Sequence, residues 1–160
     1  MKMNEGVEWA MHSCVNLSWL PGEAVTAKRL AAFYNLPTAY LNKQLQALTR
    51  AGILTSVSGP KGGFQLARDP HKITLLDIVV AIDGPDDAFR CTQILKQGPG
   101  ADPKADYTKV CVVSQAMRAA ELTYRRTLAG QTIADIAERV VGTSPDAPAS
   151  TRNRFANLKS

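Results

Sequence analysis

A glycine-rich segment between two short apolar runs constrains the fold more than any other feature of this sequence. The segment reads VSGPKGGFQLAR over residues 57–68 and sets three glycines and a proline around Lys61. Glycine supplies the positive φ that tight turns need, so the three glycines predict a turn. Alternating or β-branched residues flank the turn at 53–57 and 64–68, a pattern that is typical of paired strands. We therefore predict a β-hairpin whose tip carries Lys61.

Three helices are predicted before the hairpin. The first two cover residues 4–20 and 26–34, and the third begins at Pro37, which suits a first helical turn. Leucines recur in the third helix at i, i+4 and i+7, so they form one stripe that we expect to be buried: Leu41, Leu45 and Leu48. The opposite side of the third helix is mostly polar.

This order of elements predicts a winged helix-turn-helix, a mainly α-helical fold with a small β-hairpin wing. In this fold the second helix of the helix-turn-helix, here the third predicted helix of the chain, enters the major groove of DNA. The wing reaches a phosphate backbone or the minor groove. Residues 24–72 hold seven lysines and arginines against one acid, although the net charge of the chain is only +5. A solvated basic face is the alternative, but the order of elements favours a DNA-binding module. The candidate DNA contacts are Lys28, Thr38, Tyr40, Asn42, Lys43, Gln46, Arg50, Ser58 and Lys61.

The second half of the sequence predicts a further unit that pairs two copies of the chain. A short apolar helix over 73–85 ends the DNA-binding part, and an irregular segment follows to about residue 107. A long helix over 108–128 then carries apolar residues at 3, 4, 3, 4 spacing, which suits a seam with a second copy or packing on the chain's own core. The seam residues are Val110, Val113, Met117, Ala120 and Tyr124. We predict a DNA-binding domain over 1–84, a cofactor-binding loop with dimerisation helices over 85–141, including a last short helix near 132–140, and a disordered tail over 142–160.

Composition narrows the class of protein. The chain has 160 residues, of which 45% are hydrophobic, so it suits one domain or one small domain with an extension. No apolar run reaches the length of a membrane span, and the charged first residues do not form a signal peptide. Three widely spaced cysteines do not make a secreted disulfide framework, so we expect a reducing cytoplasm.

Two cysteines are candidates for cofactor chemistry. Cys91 and Cys111 bracket the irregular segment with nineteen residues between them, so they do not form a close zinc-type pair. Two thiolates also leave a four-ligand site incomplete. Glu8 and His12 stand four residues apart on the first helix and therefore share a face. Cys14 lies on roughly the opposite face from His12 and is predicted to pack in the core. Core cysteines and an ordinary surface Glu–His pair remain the alternatives.

The sequence resembles the Rrf-two family of winged-helix transcription regulators, which includes the iron–sulfur sensors IscR and NsrR. The resemblance covers residues 1–142 and rests on three motifs, LPTAYLNKQLQALTRAGIL, GPKGGFQLAR and ITLLDIVVAIDGP. Most iron–sulfur members carry three cysteines close together in the loop, whereas this chain has only Cys91 there. The motifs GVEWAMH, AFRCT and TKVC are similar to a narrower, RsrR-like subgroup. That likeness implies a 2Fe-2S cluster held by Cys91 and Cys111 of one protomer and by Glu8 and His12 of the other.

These observations predict a homodimeric, cytoplasmic transcription regulator that is not an enzyme. We interpret it as a repressor that binds a palindromic operator and responds to the redox state of the cluster. Trp9, between the two implied ligands of the first helix, is either a buried anchor or the residue that transmits the redox signal. A cluster-free thiol switch and a small electron-transfer protein are the alternative functions.

Overall fold

The computed structural model describes residues 4–158, except for the side chains of residues 108 and 110. This part of the chain is mainly α-helical and contains one two-stranded antiparallel sheet, as predicted. The elements are α1 (Glu5–Ser18), α2 (Ala27–Tyr34), α3 (Thr38–Arg50), β1 (Leu54–Val57), β2 (Gly63–Leu66), α4 (Leu75–Asp83), α5 (Tyr107–Val110), α6 (Val112–Ala129), α7 (Ile133–Thr143) and α8 (Ala147–Asn157).

Local sequence signals set the ends of the first three helices. The Asn4 side chain accepts a hydrogen bond from the Gly6 N–H at 2.9 Å, and Thr26 caps α2 in the same manner. Asn35 closes α2 in the left-handed conformation, with φ of 55°. The predicted leucine stripe of α3 is fully buried, and α3 packs against α1, α2 and α4. The apolar stripe therefore turns the polar side of α3 outward.

The hairpin is joined to the loop before α2. Its register pairs Leu54 with Leu66 and Val57 with Gly63. Val25 and Phe64 exchange two backbone hydrogen bonds, at 2.9 and 2.8 Å. Gly63 has φ of 143°, and a Cβ atom there would lie 2.4 Å from the carbonyl carbon of Val25, so only glycine fits. The glycine that predicted the turn thus also holds the wing beside α2.

Helices α4 and α7 begin side by side. Each starts with a Thr-x-x-Asp capping box, at Thr74 and at Thr132. The Leu75 N–H donates to the Gln131 carbonyl, and the Ile133 N–H donates to the Ile73 carbonyl, both at 2.9 Å. These bonds attach the C-terminal part of the chain to the DNA-binding part.

Replacing Thr132 with alanine is expected to lower the free energy of unfolding by about 0.5–2 kcal/mol. Thr132 donates two hydrogen bonds to Asp135, which lower the pKa of that carboxyl, and it accepts one from the Asp135 N–H. Urea unfolding measures the change. The matched control is Thr123→Ala, because the Thr123 hydroxyl only donates to the Ala119 carbonyl within α6. Equal effects of the two substitutions would contradict the role of the cap.

The prediction of one long helix over 108–128 was wrong at Cys111. That residue has φ of −72° and ψ of 114°, so it separates α5 from α6 with one extended residue. β-Branched valines occupy positions 110, 112 and 113, and such residues lose side-chain freedom in a helix. Val110 is one of the predicted seam residues, and its side chain lies outside the described part of the structure.

The prediction of a disordered tail over 142–160 was also wrong for residues 142–158, and residues 159–160 lie outside the described residues. Helix α7 extends to Thr143, and α8 follows and packs on α2 and α7. Thr151 and Phe155 are buried and Leu158 is half-buried, because their spacing of four and three residues forms a stripe along one side of α8. The domain boundaries at 84 and 141 stay predictions. No helix of residues 4–158 is both long enough and apolar enough to cross a membrane.

Candidate DNA-binding surface and metal-ligand residues

Helix α3 presents the predicted contact residues on its outer side. Gln44 is buried with the leucines on the inner side, and Tyr40 is 47% exposed on the outer side. The other residues predicted on this helix are exposed, except for the half-buried Asn42: Thr38, Lys43, Gln46 and Arg50. This side of α3 is long, polar and basic, which is what insertion into a major groove requires.

The wing adds a second cationic surface. Ser58 and Lys61 are exposed in the turn of the hairpin, and Lys28 is exposed on α2. A pocket of about 400 Å³ separates the wing tip from the start of α2, where Arg29 pairs with Glu23 at 3.3 Å. The structure therefore places every predicted DNA contact on α2, on α3 or on the turn between β1 and β2.

Glu8 and His12 share one pocket on α1. Its volume is about 260 Å³, and Trp9, Tyr34 and Leu36 complete its lining. Their predicted common face is therefore confirmed, and their role as ligands stays a prediction. The Tyr34 hydroxyl accepts a hydrogen bond from Asn16 Nδ2 at 2.6 Å and donates to the His12 carbonyl at 3.3 Å. Burial raises the pKa of Tyr34 to about 12, so the phenol stays a neutral donor.

Trp9 connects this pocket to α3. The indole lines the pocket together with Glu8 and His12. It also meets the Tyr40 ring edge to face, with ring centroids 5.3 Å apart and an angle of 71° between the planes. One side chain therefore contacts both the candidate ligand pocket and the predicted recognition helix.

Cys91 and Cys111 line a second pocket of about 260 Å³, together with Gln93 and Ser114. Both cysteines are half-buried, and neither forms a disulfide. Gln93 adopts the left-handed conformation with φ of 55°, and its Oε1 atom is buried without a hydrogen-bond partner. The pocket thus combines two thiols with a polar group that the described residues leave unsatisfied.

The four candidate ligands lie in two separate pockets of one protomer. Among the described residues, no group of three or more histidine, cysteine, aspartate or glutamate side chains comes together. The two pockets nevertheless supply a thiol pair and a carboxylate–imidazole pair, the donor types that the resemblance implies for the two irons of a cluster. This division fits a site shared between protomers. Cys14 is fully buried, as predicted, and burial raises the pKa of its thiol to about 12.

Two residues of these pockets were missed in the sequence. Tyr34 was seen only as the end of α2, and Gln93 only as part of the irregular segment. The adjacent aromatic residues Phe33 and Tyr34, beside the buried Leu30 and Ala31, could have indicated a second packed side of α2. The left-handed backbone of Gln93 left no signal in the sequence.

The family is decided by a profile match over most of the chain. The Rrf2 profile, described as that of an iron-dependent transcriptional regulator, matches residues 3–139. The chain belongs to the Rrf2 family. The predicted family membership and the winged-helix fold are therefore confirmed, whereas the RsrR-like subgroup stays a prediction.

Similar proteins are transcription regulators rather than enzymes. A putative HTH-type transcriptional regulator, YffB of Lactococcus lactis, is 29% identical over 139 residues, which span 86% of this chain and 88% of that protein. Several other regulators match over only about half of their own length. The solved structure of T. potens IscR has a TM-score of 0.67 at 22% identity, over 90% of this chain and 91% of that one. CymR, described as the global cysteine regulator of B. subtilis, has a TM-score of 0.64 at 22% identity, over 87% and 98%.

Proposed function

We propose that this Rrf2-family regulator is a homodimeric repressor that senses redox state in the cytoplasm through a 2Fe-2S cluster. The observation that carries the proposal is the contact of Trp9 with both the Glu8–His12 pocket and Tyr40 of the DNA-facing helix. Cys91 and Cys111 are proposed as the remaining ligands. DNA binding and transcription regulation belong to the family, whereas the cofactor and the signal are our proposals.

Helix α6 supports the proposed dimer. Its exposed apolar side chains are Val112 at 76%, Val113 at 65%, Met117 at 42% and Leu122 at 48%. Val113 and Met117 lie four residues apart and therefore share the side of α6 that carries the predicted seam. An exposed apolar patch of this kind is typical of a protein–protein interface. A second copy of the chain is the proposed partner, because a two-fold dimer places two recognition helices on one palindromic operator.

The proposed ligands have separate roles in the dimer. Cys91 and Cys111 offer two thiolates from one pocket, and Glu8 and His12 of a second copy offer a carboxylate and an imidazole. A 2Fe-2S cluster held by these four residues would supply one-electron redox chemistry, and its reduction would add one negative charge beside them. That charge would alter the interactions of Glu8 and His12 with the other residues that line their pocket, which include Trp9. Trp9 would then repack against Tyr40 and shift α3 relative to the DNA.

A cluster-free thiol switch is the second candidate function. The observation that favours it is the position of Cys91 and Cys111 in one pocket, where both are partly exposed. Oxidation of the two thiols by a disulfide or a peroxide would join them in a disulfide, as in other redox-sensing cysteine pairs.

The visible spectrum of anaerobically purified protein distinguishes these candidates. The proposal predicts iron and acid-labile sulfide in equal amounts, at about two of each per protomer, with absorption that bleaches on addition of dithionite. Colourless protein without iron or sulfide, even after reconstitution, would contradict the cluster. A disulfide between Cys91 and Cys111 in that protein would support the thiol switch.

Alanine substitutions at Lys43 and Lys61 are expected to separate two kinds of DNA contact. If Lys61 contacts a phosphate, Lys61→Ala should weaken binding to all duplexes similarly. It should also reduce the salt slope, which is the dependence of log affinity on log salt concentration, by about one. If Lys43 contacts a base edge, Lys43→Ala should cost about 1–3 kcal/mol of binding free energy and relax the base preference at one position of the site. The measurement is salt-dependent binding to a duplex selected from a random pool by the wild-type protein and to an unrelated duplex. Identical effects of both substitutions on both duplexes would contradict the assignment of α3 as the recognition helix.

A further inference from the structure

Helix α8 lies beyond the family match and packs on the first helix of the helix-turn-helix. The match ends at residue 139, whereas α8 covers Ala147–Asn157. The Phe155 side chain is fully buried and stacks on Phe33 of α2, with ring centroids 4.6 Å apart and planes inclined by 18°. Phe155, the one large apolar side chain of α8, is therefore buried against α2.

Two arginines extend this contact. Arg29 of α2 donates a hydrogen bond to the Phe155 carbonyl at the end of α8, where the carbonyl groups carry partial negative charge. Arg29 also pairs with Glu23 in the loop before α2. The Arg154 guanidinium lies 4.9 Å from the centroid of the Phe33 ring. Helix α8 thus holds α2 by a stacked ring, a charged hydrogen bond and a cation–π contact.

The position of α2 determines how the DNA-binding side is presented. Only residues 35–37 separate α2 from α3, and the start of α2 lines one pocket with the wing tip. Phe33 also meets Tyr34, with ring centroids 4.9 Å apart, and Tyr34 contacts His12. A displacement of α2 would therefore reach the recognition helix, the wing and the Glu8–His12 pocket together.

We infer that α8 is a positioning element of the DNA-binding unit, in which Phe155 fixes α2 and so sets the affinity for DNA. Helix α8 has this role without contacting DNA itself. The inference depends on the family's DNA binding and not on the proposed cluster, so it can be tested in protein of any cofactor content.

The test is Phe155→Ala in the full chain, with DNA binding and amide hydrogen exchange as readouts. We expect affinity for the selected duplex to fall by about tenfold or more while the salt slope stays unchanged, because no phosphate contact is lost. Amide exchange should become faster in α2 and α8 but remain slow in α4. Arg152→Ala is the matched control, since Arg152 is exposed on α8 and should change neither readout.

Two results with the alanine variants would overturn the inference. One is wild-type affinity in a Phe155→Ala protein whose α8 amides exchange freely, because α8 would then be dispensable. The other is a salt slope lowered by about one in Arg152→Ala, which would make α8 a direct DNA contact. If Phe155→Ala does not fold, Phe155→Leu serves in its place, since it keeps an apolar side chain but removes the stacked ring. Unchanged affinity together with faster α2 exchange in that variant would equally overturn the inference.

Discussion

Cys91→Ala and Cys111→Ala are each expected to abolish the 2Fe-2S cluster, whereas Cys14→Ala should leave it intact. The first two thiols lie half-buried in one pocket and can reach a cofactor. The Cys14 thiol is fully buried in the core, where burial raises its pKa to about 12 and keeps it protonated. Only a thiolate binds iron, so Cys14 serves as the matched control.

Iron, acid-labile sulfide and the visible spectrum of each variant measure this effect. The comparison requires anaerobic purification, because an exposed cluster is lost to oxygen. A wild-type iron content in Cys91→Ala or Cys111→Ala would contradict the proposed ligand set. Loss of the cluster in Cys14→Ala, in protein that is otherwise folded, would show that the third cysteine had been assigned wrongly.

Trp9→Ala is expected to leave the cluster spectrum nearly unchanged and to remove most of the difference in DNA affinity between the oxidised and reduced protein. The Trp9 indole lines the Glu8–His12 pocket and also contacts the ring of Tyr40. Its removal takes away this contact between the proposed ligand pocket and α3 without removing a proposed ligand. Coupling between two sites is typically about 5–150-fold in affinity, so the loss is measurable.

Two control variants make this test specific to Trp9. Trp9→Phe keeps an aromatic ring beside Tyr40 and should retain part of the difference. Trp19→Phe changes the other tryptophan, which lies at the far end of α1 and packs against the core, so it should retain all of the difference. An intact difference in folded, cluster-loaded Trp9→Ala protein would show that Trp9 is only an anchor for α1.

The fold of the DNA-binding part could be predicted because its signals are local. The glycines of residues 57–68 and the leucine stripe of α3 each act within a few residues. The break at Cys111 was missed because apolar spacing along 108–128 indicated a helix, while the three valines around the break opposed one. Helix α8 was missed because a polar composition concealed the stripe of Thr151, Phe155 and Leu158, whose burial depends on packing against α2 and α7.

The candidate site could be predicted only as two pairs of residues. The spacing of four placed Glu8 and His12 on one face, and the structure confirms this arrangement. No local signal places Cys91 beside Cys111, since nineteen residues separate them and only the folded loop brings them into one pocket. The contact of Trp9 with Tyr40 depends on how α1 packs against α3, which is a property of the tertiary structure.

The most direct test of the redox-sensing proposal is the DNA affinity of one anaerobic sample before and after reduction of its cluster. The sample is titrated with the selected duplex, reduced with dithionite until the visible absorption bleaches, and titrated again at the same salt concentration. We predict affinities that differ by about 5–150-fold between the two states. Equal affinities in a sample whose spectrum shows complete reduction would contradict redox control of DNA binding.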